Sequence, residues 1–355
     1  MRSPVSRAFV ALLVMVAACV AQIIAPAVAR AAEVNLYSTR EPGLLQPLLD
    51  SFTAKTGIKV NTVFLNTGLA ERVAAEGASS PADVLMVVDI GNLVELVKRG
   101  VTQPIRSATL DEAIPASLRD PDGNWVALSL RARAIFVSKE RVSDTAMTYE
   151  DLADPRWRGK VCTRGGQHPY NTALFAAMIA KHGEPATAEY LKALKANLAR
   201  RPAGGDRDVA RDIFAGICDA GLSNTYYAGL MLSGAGGPEQ KRWGEAVRVI
   251  LPTFKNGKAT GAQGTGTHVN VSGAAVARHA PHRAEALRLL EFLATPEAQR
   301  IYAEANFEYP ARAGVALQPI VAGFGTLEID PTPLATIAAK REEASLLVDR
   351  LGFDR

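Results

Sequence analysis

Two adjacent tyrosines, Tyr226 and Tyr227, carry the clearest chemistry in this 355-residue sequence. They follow Asn224 and Thr225, either of which can cap a helix that begins there. Phenol oxygens at a helix start lie near the positive end of its dipole, which favours phenolate. Because a free phenol has a pKa of about 10, only a strongly polarising, oxygen-preferring cation would deprotonate two of them near neutral pH. Taken alone the pattern is weak evidence for a hard-cation site, since core packing or ring stacking is the more ordinary role of two such tyrosines.

Alternating strands and helices must position these tyrosines. The first part of the chain contains a strand at 34–37, a helix with an apolar face at 44–52, a strand at 59–64, a polar helix at 68–77 and an apolar strand at 83–89. The unbroken apolar run of the last strand suits burial on both faces of a parallel sheet. This β-α-β-α-β opening predicts an α/β fold.

A second α/β unit begins near residue 159. Its expected elements, with those that end the chain, are helices at 171–182, 186–198 and 207–215, a strand at 247–251, and helices at 282–293, 296–305 and 331–349. Two longer strands, at 127–138 and 268–277, connect the two units. Two α/β lobes joined by two crossover strands predict a hinged binding protein with its ligand between the lobes.

The crossover strands also divide the chain into domains. We assign residues 1–31 to a signal peptide, 32–130 and 270–310 to lobe 1, 131–269 to lobe 2, and 311–355 to a C-terminal helical segment that packs on the lobes.

The N-terminus has the form of an export signal. Arg2 and Arg7 precede an almost wholly apolar stretch at 8–29, which ends in an Ala-Arg-Ala cleavage pattern at 29–31. Cleavage there lowers the formal net charge from +4 to +1. A permanent membrane anchor and lipid attachment at Cys19 are the alternatives. We expect an exported protein in the periplasm.

Cleavage leaves two cysteines, Cys162 and Cys218. Two cysteines in an oxidising compartment predict one disulfide. Two buried thiols are the alternative.

Several function classes find no support in the sequence. It contains no nucleophile elbow, phosphate-binding loop or zinc-protease helix motif. The small net charge gives no reason to propose a nucleic-acid surface. The glycine-rich stretch at 261–267 lacks the strand-then-helix context of a dinucleotide loop and is interpreted as a linker, and His279 and His282 as a solvated helix cap rather than a metal site.

The chain resembles the periplasmic ferric-iron-binding proteins of bacterial ABC importers. The most specific shared segment is NTYY at 224–227. The others are LYSTR at 36–40, PADV at 81–84, RAR at 131–133, WRGKVCTR at 157–164, CD at 218–219 and EYPAR at 308–312. The resemblance covers most of the mature chain and implies a type II periplasmic binding protein fold that holds one ferric ion between two lobes.

The resemblance also implies the metal ligands. Tyr226 and Tyr227 match the paired tyrosines of the family, and Tyr170 matches a third tyrosine ligand found in one branch. Other members supply a histidine, or a histidine and a tyrosine, from the loop after the first strand. Here that loop is Arg-Glu-Pro at 40–42, so those ligands are missing, and Glu41 is the candidate substitute.

Three tyrosinates neutralise ferric iron and leave coordination positions open, which a carbonate or similar small anion fills in the three-tyrosine members. Arginine forks match such an anion. Arg40 and Arg131 are the candidate donors, and Arg133 is the second choice on the same strand face. The alternative is that these arginines pair with carboxylates across the hinge. Tyr37 and His168 are expected near the cleft without being ligands.

The family resemblance implies a monomer that delivers iron to an ABC permease in the inner membrane, without enzymatic activity. Two other functions stay open. One is a binding protein of the same fold for an organic solute such as a polyamine, thiamine or an organic anion. The other is a metalloenzyme with an iron–tyrosinate centre, for which the sequence offers no convincing acid–base pair.

Overall fold

The computed structural model describes residues 32–255 and 266–355. The expected signal peptide at 1–31 and most of the glycine-rich stretch at 261–267 lie outside the described residues. Within those two ranges, none of the helices has the length and apolar character that a membrane span requires.

Ten strands form one connected sheet. They are β1 (Glu33–Ser38), β2 (Lys59–Phe64), β3 (Val84–Val88), β4 (Thr102–Gln103), β5 (Val126–Ser138), β6 (Val161–Cys162), β7 (Ala220–Asn224), β8 (Val247–Ile250), β9 (Val269–Ala277) and β10 (Tyr309–Pro310). Along its main path the order is β2-β1-β3-β9-β5-β7-β6, while β4 pairs with β9, and β8 and β10 pair with β5. The α/β class predicted from the sequence is confirmed.

The helices follow the expected alternation with the strands. They are α1 (Pro42–Thr56), α2 (Leu69–Glu76), α3 (Ile90–Lys98), α4 (Ala108–Ala113), α5 (Pro169–His182), α6 (Glu184–Ala196), α7 (Asp206–Phe214), α8 (Thr225–Leu232), α9 (Gly237–Ala246), α10 (Arg283–Leu293), α11 (Pro296–Asn306), α12 (Pro319–Ala322), α13 (Leu334–Ala339) and α14 (Arg341–Arg350).

Strand β5 is the element that connects the two parts of the sheet. Its first half pairs antiparallel with β9 as far as Ala132, and from Arg133 onward it pairs with β7 and β8. Every residue of β5 and β9 is buried, including the polar side chains of Arg131, Arg133 and Asn270. The switch of partner between Ala132 and Arg133 places the arginines of β5 at the centre of the molecule. The boundaries of the two lobes stay a prediction.

The C-terminal segment differs from the single helix expected over 331–349. Pro331 and Pro333 cannot occupy a helix interior, so α13 begins only after Pro333. A tight turn at Lys340 then separates α13 from α14: its N–H bonds to the Ile337 carbonyl, three residues back. Helix α13 packs on α5 and α3, and α14 packs on α5.

The predicted disulfide is confirmed, and it closes between Cys162 in β6 and Cys218 ahead of β7. Beside it, α7 lies so close to the sheet that a Cβ at Gly221 would meet the Cys162 carbonyl oxygen at 2.4 Å and the Val209 side chain at 2.5 Å. Only glycine permits this close approach, which brings the start of α7 near the start of α8.

Candidate functional site

A cavity of about 630 Å³ lies beside the starts of α5 and α8. Its walls come from both parts of the sheet and from the C-terminal segment. The lining residues are Thr39, Arg40, Glu41, Leu44, Asn66, Val88, Asp89, Asn92, His168, Pro169, Tyr170, Arg207, Tyr226, Tyr227, Leu230 and Arg341. All three tyrosines predicted as metal ligands therefore face one cavity.

Tyr170 lies in the first turn of α5. His168 is the N-cap residue, and its Nδ1 accepts a hydrogen bond of 3.2 Å from the Tyr170 backbone N–H. Pro169 occupies the first helical position, where its missing N–H costs nothing. The helix therefore begins at Pro169, two residues earlier than the sequence predicts, and this start fixes the Tyr170 backbone at the cavity wall.

Tyr226 and Tyr227 occupy the first turn of α8. Their ring centroids are 4.1 Å apart. The Tyr226 hydroxyl lies 3.3 Å from the Tyr170 hydroxyl, although 56 residues separate the two tyrosines. Asn224 holds the N-cap position but makes no side-chain cap bond. The structure thus brings phenol oxygens from two distant helices into contact.

The protein raises the pKa of both paired phenols. Burial is the largest cause for Tyr226 and for Tyr227, and the neighbouring Tyr170 hydroxyl is the next. For Tyr226 the positive charge of Arg131 acts in the opposite direction without overcoming burial. The helix dipole does not decide the outcome here, and without a cation these phenols stay protonated at neutral pH.

His168 borders the cavity, as expected of a residue near the ligands. Its ring lies edge-on to the Tyr170 ring at 4.6 Å. Burial, and next the charge of Arg164, lower its pKa to about 4. A neutral imidazole whose Nδ1 caps α5 orients Tyr170. Its role at a metal site stays a prediction.

Arg40 lines the cavity and also forms a buried ion pair with Glu308. Its Nη2 donates to Ser272 Oγ at 3.0 Å, while its Nε has no hydrogen-bond partner in the described structure. Burial opposes the charge of Arg40, but the Glu308 carboxylate outweighs burial and raises the arginine pKa. Carboxylate pairing, the alternative to anion binding, therefore holds for Arg40. Its predicted contact with an anion stays a prediction.

Replacing Glu308 by glutamine is expected to destabilise the protein by about 3–5 kcal/mol, because it leaves the buried Arg40 charge without a carboxylate partner. The matched control is Glu297→Gln, which breaks an ion pair with Lys55 on the surface and should leave stability almost unchanged. Urea unfolding of both variants measures the difference. Equal losses in the two variants would contradict a buried, structurally required pair.

Arg131 is fully buried behind the tyrosines rather than on the cavity wall. Its Nη2 donates to the Val271 carbonyl at 3.0 Å, and its guanidinium carbon lies 5.7 Å from the centre of the Tyr170 ring. No carboxylate among the described residues pairs with it, and its Nε lacks a hydrogen-bond partner. Burial opposes the charge of Arg131, but the Glu308 carboxylate raises the pKa of Arg131, so this arginine brings a positive charge to the tyrosines without a direct ion pair. Its predicted contact with an anion stays a prediction.

Arg133, the second choice for the anion, does not line the cavity. Its Nη1 is 2.6 Å from an Asp206 carboxylate oxygen, and both side chains are buried. The alternative of carboxylate pairing holds for Arg133 too. The sequence could not show this, because the partner lies 73 residues away.

Tyr37 and Glu41 have different surroundings. Glu41 is exposed at the cavity edge, immediately before α1, so its role as a substitute ligand stays a prediction. Tyr37 is buried, its hydroxyl donates to Glu76 at 3.2 Å, and Arg72 covers its ring. Tyr37 is not among the residues that line this cavity, and its expected place near the cleft stays a prediction.

Two further arginines, which the sequence does not predict at the site, line the cavity. Arg207, in the first turn of α7, is exposed and lies 5.4 Å from the centre of the Tyr227 ring. Arg341, at the start of α14, pairs with Asp89 across the cavity. No motif marks either residue, since only the tertiary structure brings α7 and α14 to the tyrosines.

Tyrosine oxygens are the donors that distinguish this cavity. Among the described residues, no three histidine, cysteine, aspartate or glutamate side chains come together to hold a metal ion. His282, the N-cap residue of α10, belongs to no such group. Its Nδ1 lies 3.0 Å from an Asp83 carboxylate oxygen. A cation in the cavity would therefore be bound chiefly by phenol oxygens.

Comparison with known proteins gives consistent results. The profile of the bacterial extracellular solute-binding protein family matches residues 37–300. Iron uptake protein A2 of Synechocystis sp. is 39% identical over 340 residues, which cover 96% of this chain and 95% of that protein.

Solved structures match over nearly the whole described chain. The Bordetella ferric binding protein is 58% identical, and the match covers 91% of this chain and 100% of that one with a TM-score of 0.86. A Trichodesmium protein in complex with iron and citrate ligands is 40% identical, with coverage of 91% and 100% and a TM-score of 0.85.

Proposed function

This chain belongs to the bacterial extracellular solute-binding protein family, and on that premise we propose that it captures ferric iron and delivers it to an ABC permease of the inner membrane. Relatives at 39% and 58% identity are named for iron uptake and for ferric binding. The chain has the type II periplasmic binding protein fold of these relatives. The family is extracellular, so we place the mature protein in the periplasm.

The observation that carries the proposal is the meeting of three phenols in one cavity. The Tyr170 and Tyr226 hydroxyls are 3.3 Å apart, and the Tyr227 ring lies against the Tyr226 ring. Hard, highly charged cations select oxygen ligands and displace their protons. We propose that Tyr170, Tyr226 and Tyr227 bind ferric iron as phenolates, and that charge transfer from the phenolates to the iron gives the iron-loaded protein a visible colour.

An anion completes the proposed coordination shell. Three phenolates neutralise ferric iron, so Arg131 and Arg207, which form no direct ion pair with a described carboxylate, leave the site positive. Arg40 and Arg131 each keep an Nε–H without a partner in the described structure, and Arg207 borders the cavity without a carboxylate partner among the described residues. Carbonate is a small planar anion of the shape that arginine forks bind. In the Trichodesmium relative, citrate accompanies the iron.

Ferric binding is therefore expected to depend on an anion. Apo protein titrated with a ferric chelate should bind one ion per chain, and added bicarbonate should raise the affinity about tenfold at a fixed chelator concentration. Metal analysis of the separated protein, with a competing chelator, measures both quantities. Arg207→Gln should reduce the anion effect, with Arg242→Gln on α9 as a surface control. Equal affinity with and without anions would contradict this part of the proposal.

We propose that the protein is a monomer that transports iron and does not act as an enzyme. The names of the relatives describe uptake and binding, and the cavity is explained by cargo capture. The same titration separates an organic solute from iron: tight retention of a polyamine, thiamine or carboxylate by chelator-treated protein, with no ferric binding, would favour the organic solute instead.

A further inference from the structure

The three tyrosines come from two helix starts that lie far apart in the sequence. Tyr170 begins α5 and Tyr226 and Tyr227 begin α8. The spacing of 3.3 Å between the Tyr170 and Tyr226 hydroxyls therefore depends on whatever fixes one helix start against the other. Directly after Tyr170 stands Asn171, and ahead of Tyr226 stands Asn224.

One guanidinium binds both asparagines. Arg133 Nη2 donates to Asn171 Oδ1 at 2.6 Å, and Arg133 Nη1 donates to Asn224 Oδ1 at 3.1 Å. Arg133 itself stands where β5 changes its partner from β9 to β7. A planar fork with donors fixed in direction holds two acceptors at a set separation, which a lysine cannot do.

Asp206 closes the same network from α7. Its Oδ2 accepts from Arg133 Nη1 at 2.6 Å and from the Asn224 backbone N–H at 2.8 Å. Its Oδ1 accepts from Arg164 Nη1 at 3.2 Å, and Arg164 lies 5.0 Å from the centre of the Tyr170 ring. The Asp206 carboxylate is thus bound by groups on both sides of the tyrosine cluster.

Asn171 also binds the loop that precedes α5. Its Nδ2 donates to Thr163 Oγ1 and to the Arg164 carbonyl, each at 3.0 Å. Arg133, Asp206, Asn171 and Asn224 are all buried, none more than 3% exposed. In the dry interior such charge-assisted bonds are short, directional and hard to exchange for water.

We propose that Arg133 and Asp206 act as a positioning pair for the metal ligands: they set the distance between the helix start that carries Tyr170 and the helix start that carries Tyr226 and Tyr227. Arg133 does not touch the cargo. This inference rests on the proposed ferric function, but its geometric part concerns the iron-free protein as well.

The test uses the mature protein with two matched pairs of variants. Arg133→Gln is paired with Arg200→Gln, which breaks the 2.6 Å contact of Arg200 with Asp212 on α7 and leaves both asparagines untouched. Asn224→Ala is paired with Ser223→Ala, whose buried hydroxyl has no hydrogen-bond partner in the described structure. The second pair decides the question if Arg133→Gln does not fold.

Loss of an outer partner of a metal ligand costs about 10- to 100-fold in metal affinity. We expect losses of this size in Arg133→Gln and Asn224→Ala, with a shifted visible band at saturating iron, and neither change in the two controls. Crystal structures of the iron-free variants should show the Tyr170–Tyr226 hydroxyl spacing altered only in the same two variants.

Unchanged affinity, band and hydroxyl spacing in Asn224→Ala would overturn the inference, as would equal losses in Arg200→Gln and Arg133→Gln. A wild-type protein that binds no ferric iron would refute the proposed function instead. The hydroxyl spacings of the iron-free variants would then still decide whether Arg133 and Asp206 position the tyrosines.

Discussion

The double variant Tyr226→Phe, Tyr227→Phe is expected to lose tight ferric binding and the visible colour together while keeping its fold. It removes two of three proposed phenolate ligands but retains both rings and their contact at 4.1 Å. The loss should exceed the roughly 10- to 100-fold cost of removing an outer partner of a ligand. A competition titration against a ferric chelator and the visible spectrum measure the effect.

The matched control is Tyr190→Phe. The Tyr190 hydroxyl in α6 is buried without a hydrogen-bond partner in the described structure and lies outside the tyrosine cavity, so its removal should change neither affinity nor colour. Circular dichroism and thermal unfolding show whether each variant folds. Retention of wild-type affinity by a folded double variant would refute the phenolate ligands and, with them, the assignment of Tyr226 and Tyr227.

Acid is expected to release the iron steeply. Burial raises the pKa of Tyr226 and of Tyr227 above the ordinary value, so the iron-free protein holds these phenol protons at neutral pH. Ferric binding must displace them, and protons then compete with the metal as pH falls. With three phenols the apparent affinity should fall about 10³-fold for each pH unit, because each released proton contributes about tenfold.

Competition titrations against a chelator of known proton affinity, repeated across one pH unit below neutrality, measure this slope. The iron-free protein should keep its fold over the same range, which thermal unfolding checks. A pH-independent affinity would show that ferric binding releases no phenol protons. A tenfold change in affinity per pH unit would correspond to one released proton and leave a single tyrosine as ligand.

The sequence was sufficient for the parts of the site that are local. Helix-start signals place Tyr226 and Tyr227 in the first turn of a helix, as the structure has them, while the cation site that the adjacent phenols suggest stays a prediction. His168 and Pro169 carry a recognisable helix start as well, yet the predicted helix began two residues late, because an N-cap histidine is a weak signal beside serine or aspartate.

The errors concern partners that are distant in sequence. Strand alternation places Arg131 and Arg133 on one face, but it cannot show that Asp206 neutralises one of them while the other remains unpaired. Likewise the sequence predicts Tyr37 near the cleft, and only the tertiary structure reveals Glu76 as the acceptor of its hydroxyl. Long-range pairing of buried charges is decided by packing, and single-sequence patterns do not encode it.

Regular elements were easier where burial is uniform. The wholly buried β5 and β9 are predicted to within one residue, since most of their residues are apolar even though β5 carries Arg131 and Arg133. The C-terminal segment was harder: its apolar periodicity suggests one helix, but Pro331, Pro333 and the turn at Lys340 divide it. That division lets Arg341 reach Asp89 at the cavity.

The visible absorption spectrum of the wild-type protein, loaded with one ferric ion per chain, tests the central claim most directly. Tyrosinate-to-iron charge transfer predicts a red-orange band that grows in proportion to bound iron and disappears when a chelator removes it. Stoichiometric ferric binding without any visible band would contradict tyrosinate coordination.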